Sequence, residues 1–329
     1  MKAKKSTKIW LIAALVLILL GTVIGTVCLK TVGYDWTAFH PDDRFTQETQ
    51  QIHQSIQDLD VFIQSGSLYI KLTADENPSV TSKLNGSSKV SVDIEDQKLI
   101  VRSESTEEME WYERIWYTQD ETITINLTRK EYREITVHSQ SADIFVQDQL
   151  QCLDANIETN SGDVLCDLKV QQTLNCKSDS GDAEITGTFN NLSVVSASGT
   201  IDCNACEAAA ISLLTASGEC TVRRCTLDQA VLISNSGNVF LMNTSLADTL
   251  RVSTHSGDVM LTYCTANAIK IGTTSGNVLG VTNLDWKYAV HTDSGSVLVP
   301  TSAGEHACIV RTTSGDVEFL KQKGVSENG

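Results

Sequence analysis

The 329-residue sequence predicts an all-β protein: a right-handed parallel β-solenoid of about nine 19-residue coils with an antiparallel β N-terminal cap, preceded by one transmembrane helix. Three observations predict it. A Ser-Gly pair recurs nine times at near-constant spacing, apolar residues alternate at period two on both sides of each pair, and 21 uncharged residues run together near the N-terminus.

The uncharged run, Ile9 to Leu29, is long enough as a helix to cross a hydrocarbon core of roughly 30 Å. Lys2, Lys4, Lys5 and Lys8 precede it, so the positive-inside rule leaves residues 1–8 in the cytoplasm as a basic stub and exports the rest. The expected location is the cell membrane, single-pass, with the C-terminal domain extracytoplasmic. A cleaved signal peptide is the rival reading, but its apolar stretch is usually shorter and no A-x-A-like site follows. Lipidation at Cys28 is a third reading; Val27 stands where a small residue should precede a lipidated cysteine. Residues 30–50 read as a polar spacer.

With Lys30, those four lysines are the only charged residues among the first 30. Removing these five from 25 Lys and Arg leaves 20 against 41 Asp and Glu, so residues 31–329 carry a net charge of −21. A surface this acidic does not hold nucleic acid or anionic lipid by charge.

The repeat occupies residues 139–320. Its serines are Ser161, Ser180, Ser198, Ser217, Ser236, Ser256, Ser275, Ser294 and Ser314, separated by 18 to 20 residues, with a degenerate copy at Ser141-Ala142. Counting from each serine as zero, position −4 is apolar throughout, from Ile157 to Val310, and so is +3, from Val164 to Val317. This is the pattern of two short strands joined by a tight turn, in which the glycine is expected to supply a positive φ. Position −2 shares the inward parity of −4, yet it holds Thr159, Ser178, Ser196, Thr215, Ser234, Thr254, Thr273, Thr292 and Thr312. A buried hydroxyl needs a partner, either its stacked neighbour or the turn backbone, so the column reads as a structural ladder closing the coil's corner.

Ten cysteines in an exported chain raise the question of disulfides. The register places Cys166, Cys176, Cys203, Cys220 and Cys308 at inward positions, where a free cysteine acts as a small buried hydrophobe. Cys206 and Cys225 share position +8 in adjacent coils and form the one plausible pair for a bridge.

Residues 51–138 show looser strands around Leu59–Ile63, Ser67–Leu72, Val90–Ile94, Lys98–Val101 and Thr122–Leu127, with Asn85-Gly86 as a turn signal. They read as an antiparallel beginning that covers the first coil, since the end of a solenoid needs protection. Trp111, Tyr112, Trp116 and Tyr117 sit beside Glu107, Glu108 and Glu110, either as a packed hairpin or as a platform for sugar rings. Residues 321–329 form a polar tail.

The run Ile157-Glu158-Thr159-Asn160-Ser161-Gly162-Asp163-Val164, with the early Val61–Ile70 strand pair, resembles the bacterial putative-adhesin family, also described as toast-rack domains. The likeness covers roughly residues 51–320. It implies an envelope-associated domain, commonly of Gram-positive bacteria, linked to adhesion or envelope-stress signalling. The resemblance carries no catalytic residue.

Three function classes follow. A polysaccharide-acting β-helix enzyme would mount its catalytic groups on long insertions, and a repeat varying only from 18 to 20 residues leaves no room for them. The six histidines are scattered, so no catalytic residue, metal ligand or cofactor is assigned, although carboxylate pairs stay open. A calcium-binding structural solenoid would use position +2, from Asp163 to Asp316, but neutral residues interrupt that column and turn-forming Asp and Asn account for it. A binding or sensing module fits two outward apolar stripes: Phe240, Met260, Leu279 and Leu298 at +4, and Val195, Leu214 and Ile233 at −3. The partner read from them is a cell-envelope protein or glycan, the alternative being a segment of the same chain folded over them. The last coil, ending at Phe319-Leu320, has little chain left to cover it and is expected to allow end-to-end self-association.

Overall fold

Alternating sequence makes extended strands, and here 24 strands join in one continuous sheet wound into a solenoid of about ten turns. The computed structural model describes residues 5–31, 45–84, 88–105, 121–128, 131–301 and 304–321. One helix, α1 (Lys5–Thr31), precedes the strands and is long and apolar enough to cross a membrane. The cluster around Trp111, the Asn85-Gly86 turn and residues 322–329 of the polar tail lie outside the described residues.

The N-terminal strands are β1 (Thr46–Gln51), β2 (Asp58–Ile63), β3 (Ser67–Thr73), β4 (Ser79–Leu84), β5 (Ser88–Glu95), β6 (Lys98–Ser105), β7 (Thr122–Thr128) and β8 (Tyr132–Ser139). In the repeat, β9 (Asp143–Thr159), β10 (Val164–Ser178), β11 (Ala183–Ser196) and β12 (Ile201–Thr215) each run from one Ser-Gly corner to the next. Later circuits break into shorter pieces: β13 (Cys220–Arg223), β14 (Thr226–Ser234), β15 (Val239–Met242), β16 (Ser245–Leu246), β17 (Thr249–Thr254) and β18 (Val259–Thr262). The last are β19 (Ala268–Gly272), β20 (Val278–Thr282), β21 (Trp286–Thr292), β22 (Val297–Leu298), β23 (His306–Thr312) and β24 (Val317–Lys321).

Stacked strands pair parallel and in register, so like positions form columns: Ile201, Cys220, Val239, Val259 and Val278 lie one above another, all buried. The inward alternation changes phase twice more in each circuit, as at Asn204-Ala205 and Ala209-Ala210 in β12, which gives three corners per coil. At the first of these, seven residues after the serine, Asp148, Gly187, Ala205, Arg224, Asn243 and Tyr263 all take a left-handed φ.

The Ser-Gly corner works differently from the expectation. None of the nine repeat glycines has a positive φ. Their necessity is closeness: a Cβ on Gly237 would lie 1.7 Å from the carbonyl oxygen of Gly218, and one on Gly257 would lie 2.0 Å from that of Gly237. At these stacked glycines only bare backbone fits between the layers, whereas the degenerate Ser141-Ala142 corner, stacked over Gly66, accommodates a Cβ. The hydroxyl at −2 secures the same corner by accepting the glycine's N–H, as in Gly218 N to Thr215 Oγ1 (2.9 Å) and Gly237 N to Ser234 Oγ (2.8 Å). The hydroxyls thus tie their own turns, Ser178 by donating to the Gly181 carbonyl, and Thr292 in addition donates across to the Gly315 carbonyl of the adjacent layer (3.2 Å). Between layers, the +2 side chains do the tying: Asp163 Oδ1 accepts the Asp182 N–H (2.8 Å), and Asp182 Oδ1 accepts that of Thr200 (2.7 Å).

The coils do not stack in chain order at either end. β2 and β3 lie between β6–β7 and β8–β9, all parallel, so this region already contains coils. The antiparallel strands at this end are β5, on β6, and β4, on β7, with β1 on β4; β1 falls within the stretch read as spacer. At the other end β23–β24, last in the chain, insert between β19–β20 and β21–β22. Volume selects this order. Gly280 pairs with Phe319, and a Cβ on Gly280 would lie 2.2 Å from that ring. The inter-layer tie follows suit, from Asn277 to Asp316 (3.0 Å) and from Asp316 to Ser296 (2.7 Å). The terminal layer is thus the Ser294 coil, and the expectation that the Ser314 coil ends the rod is corrected.

Two outcomes are expected. Gly237→Ala should cost about 1–3 kcal/mol or more in urea unfolding, the range for an overpacked core. Gly272→Ala, with open space around the new Cβ, should stay within about 0.5 kcal/mol. Equal effects would remove the argument from closeness. The backbone N–H and hydroxyl of Ser296 hold the Asp316 carboxyl below its ordinary range. A lowered folded-state pKa stabilises the fold above the ordinary carboxylate value of about 3.9, and that contribution fades as pH falls through the lowered value. Hydrogen-exchange protection of the Ser296 amide should therefore weaken only in acid. It should be lost at neutral pH in Asp316→Ala and be retained without acid sensitivity in Asp316→Asn.

Candidate binding trough and the residues around it

Position −3 stands between two inward positions, so its side chain must point out. Val195, Leu214 and Ile233 are 39, 37 and 39% exposed and lie directly opposite one another in β11, β12 and β14. Position −1, the next outward position, contributes Ala216, Asn235, His255 and Thr274. Between the two rows runs a shallow trough of about 590 Å³ whose floor is the −2 column. The −2 hydroxyls on that floor are already engaged with glycine amides, so the apolar wall dominates what the trough offers.

The trough continues towards the end of the rod. A second recess of about 320 Å³ shares Ser253, Thr254 and Thr274 with the first and extends to His291, Asp293 and Arg311. Arg311 lies opposite Gly272 in one layer and His291 in the other. Gly272 has no side chain, and a Cβ built there would have nothing within 4 Å, so the row is open at that layer. His291 Nε2 reaches Asp293 Oδ1 at 3.1 Å. One groove therefore passes from branched aliphatics to a polar end where Arg311 stands with His291 and Asp293.

The +4 stripe is shorter than its sequence implies. Phe240, Met260 and Leu279 are in register and half-buried. Glu318, in the inserted coil, separates Leu279 from Leu298, so the expected run of four successive coils is corrected to three. Leu298, 59% exposed, stands at the terminal layer instead. In the ladder, Thr159, Ser178, Ser196, Thr215, Ser234, Thr254, Thr273 and Thr312 are buried, and Thr292, in the terminal layer, is half-buried.

The chemistry of the remaining groups is quiet. Among the described residues no group of three or more His, Cys, Asp or Glu is placed to hold a metal ion. In the +2 column, oxygens that calcium would need accept backbone N–H groups. Partial burial raises the Asp167 carboxyl, with Asp148 adding to the effect, while hydrogen bonds from the Gln149 backbone and the Thr186 side chain oppose it.

All ten cysteines are free thiols, Cys206 and Cys225 included, and the Cys206 N–H points at the Cys225 sulfur (3.3 Å). Burial pushes Cys152, Cys176, Cys220 and Cys308 up to about 12. Cys206, through its contact with Cys203, and Cys225, through Cys206, are raised further. Reactivity requires thiolate. Maleimide at pH 8 should accordingly leave the nine buried cysteines unlabelled in the folded chain and modify them after denaturation; prompt labelling of Cys206 or Cys225 would contradict the closed coil.

Comparison with known proteins agrees with this architecture. Residues 58–245 match the family model described as "Putative auto-transporter adhesin, head GIN domain", and residues 187–329 match the one described as "Toastrack". A solved structure from Parabacteroides distasonis, titled a putative adhesin, has a TM-score of 0.50 at 13% identity, covering 85% of this chain and 98% of its own. A putative adhesin from Bacteroides fragilis aligns at 13% identity over 85% and 99% of the two chains, with a TM-score of 0.45. One from Parabacteroides merdae gives 11%, 84% and 97%, with a TM-score of 0.46. At 13% identity the likeness to the Parabacteroides distasonis structure concerns the fold alone. Among curated proteins nothing matches.

Proposed function

The chain belongs to the auto-transporter adhesin head GIN domain family, and from that premise we propose that it is a membrane-anchored, extracytoplasmic and non-catalytic binding module. The anchor in this reading is α1, whose segment Ala14–Thr31 has a mean hydropathy of 2.1. Basic residues ahead of it favour a cytoplasmic N-terminus. The binding element is the trough, and the observation that carries the proposal is the aligned, exposed row of Val195, Leu214 and Ile233 along a concave face.

Between the two partner classes the lining favours protein over glycan. Sugar rings pack best on flat aromatic faces, whereas the trough offers branched aliphatics without Trp, Tyr or Phe. Aliphatic side chains of an envelope protein would fill it, with an acidic group reaching Arg311. Apolar anchors near the centre of an interface typically contribute about 2 kcal/mol or more each. Leu214→Asp and Ile233→Asp should therefore each weaken partner capture roughly thirtyfold, with circular dichroism and Tm preserved. A photo-crosslinker at Ala216 in intact membranes should trap a protein, and one at Glu184, on another face, should not. Equal trapping at both positions, or capture indifferent to both aspartates, would count against the trough.

A further inference from the structure

A core column continues inward only while another layer lies above it. Among the described residues, nothing covers the columns at the terminal layer. Val297 is 45% exposed, whereas Val239, Val259 and Val278 in the same column are 0 to 1% exposed. Tyr288 and Val290 are likewise only half-buried, although Cys308 and Val310 in their columns are 0% exposed. Leu298 adds 59% exposure beside them. Strand β21 pairs with β23 alone, so its outer edge carries unpaired backbone groups among the described residues. At the opposite end β1, β4 and β5 lie antiparallel on the outermost coil. A bare parallel edge at one end only is an invitation to strand pairing.

We propose that the terminal layer is the docking surface for a second copy of this chain, joined end to end by antiparallel pairing of β21 with its counterpart. A two-fold joint is self-complementary, so this contact closes at two copies. The register is specified by charge. With Val290 facing Val290 of the second copy, Lys287 stands opposite Asp293, and by symmetry this happens twice. Lys287 points outward from β21, and Asp293 is exposed one residue past the end of that strand at the same parity, so their side chains meet on one face. The inward residues Tyr288 and Thr292 then oppose one another, and the apolar columns of the two copies meet across the joint. Two opposite-charge contacts form where chains with a net charge of −16 would otherwise repel. The joint puts the two N-terminal ends at the far extremes of a doubled rod. If α1 anchors each copy, a premise taken from the proposed function, the pair bridges two membranes.

Charge exchange tests this directly. Full-length chain in density-matched detergent should sediment as a dimer, with electron micrographs showing a rod of twice the single length. Lys287→Asp alone and Asp293→Lys alone should each weaken the dimer at least tenfold, because like charges now meet twice. Mixing the two variants should restore it, since every Lys–Asp contact then re-forms between unlike copies. Val290→Cys should cross-link to itself on mild oxidation, while Leu214→Cys should not. A monomer at all concentrations, a dimer insensitive to both charge changes, or a dimer of unchanged rod length without the Val290→Cys cross-link would overturn the proposal; the last result would place the contact at α1. Vesicles carrying the wild-type chain should cluster, and vesicles carrying the two variants should cluster only when mixed. A solution dimer whose vesicles do not cluster would sink the bridging consequence and leave the joint standing.

Discussion

At the Ser-Gly corners the glycine backbone rests against the carbonyl oxygen of the same corner one layer away, a glycine in every case but Gly162, which meets Ala142, so adjacent layers are as close as two bare chains permit. That contact fixes the register of everything else. With the corners aligned, the valines at +3 and the aliphatics at −4 fall into columns and bury one another. The hydroxyl at −2 satisfies the glycine N–H that the tight corner would leave unpaired, and the +2 carboxylates reach across to the next layer's backbone. Corner, core and inter-layer tie thus rest on one geometric condition, which is why the repeat length varies so little.

A stack of this kind has two exposed faces that hydrophobic burial cannot close, and the chain treats them differently. At the N-terminal end antiparallel strands cover β6 and β7, because reversing direction lets short hairpin-like segments pair with a solenoid edge. At the other end the chain overshoots to β21 and then threads β23 and β24 back underneath. The last strands are thereby held on both sides, and the layer left outermost retains half-buried Tyr288 and Val290. Trp286 secures the outgoing segment, with its Nε1 donating to Thr282 Oγ1 at 3.0 Å.

The same regularity shapes function. A wall of identical layers provides long rows of like side chains rather than a convergent constellation, and rows suit the recognition of extended surfaces. The trough arises where one such row turns aliphatic for three layers, then passes Ser253 to a layer whose glycine lies opposite an arginine. Its hydroxyl floor is committed to the fold, so selectivity rests on its rim.

Much of this was legible in the residues themselves. The nine Ser-Gly pairs dictated a parallel stack, the period-two alternation dictated which side chains face in, and the outward position of Val195, Leu214 and Ile233 followed from parity alone. The need for glycine was legible while its cause was not, since φ is local but the approach of Gly218 to Gly237 exists only between layers. Nor could spacing reveal the order of stacking. A repeat says that every coil fits any other; the choice was made by the packing of Phe319 into the space left by Gly280, which put Glu318 between Leu279 and Leu298. Local pattern determined each layer. Which layer ends the rod, and therefore which surface is left bare, was decided by side-chain volume in the assembled core.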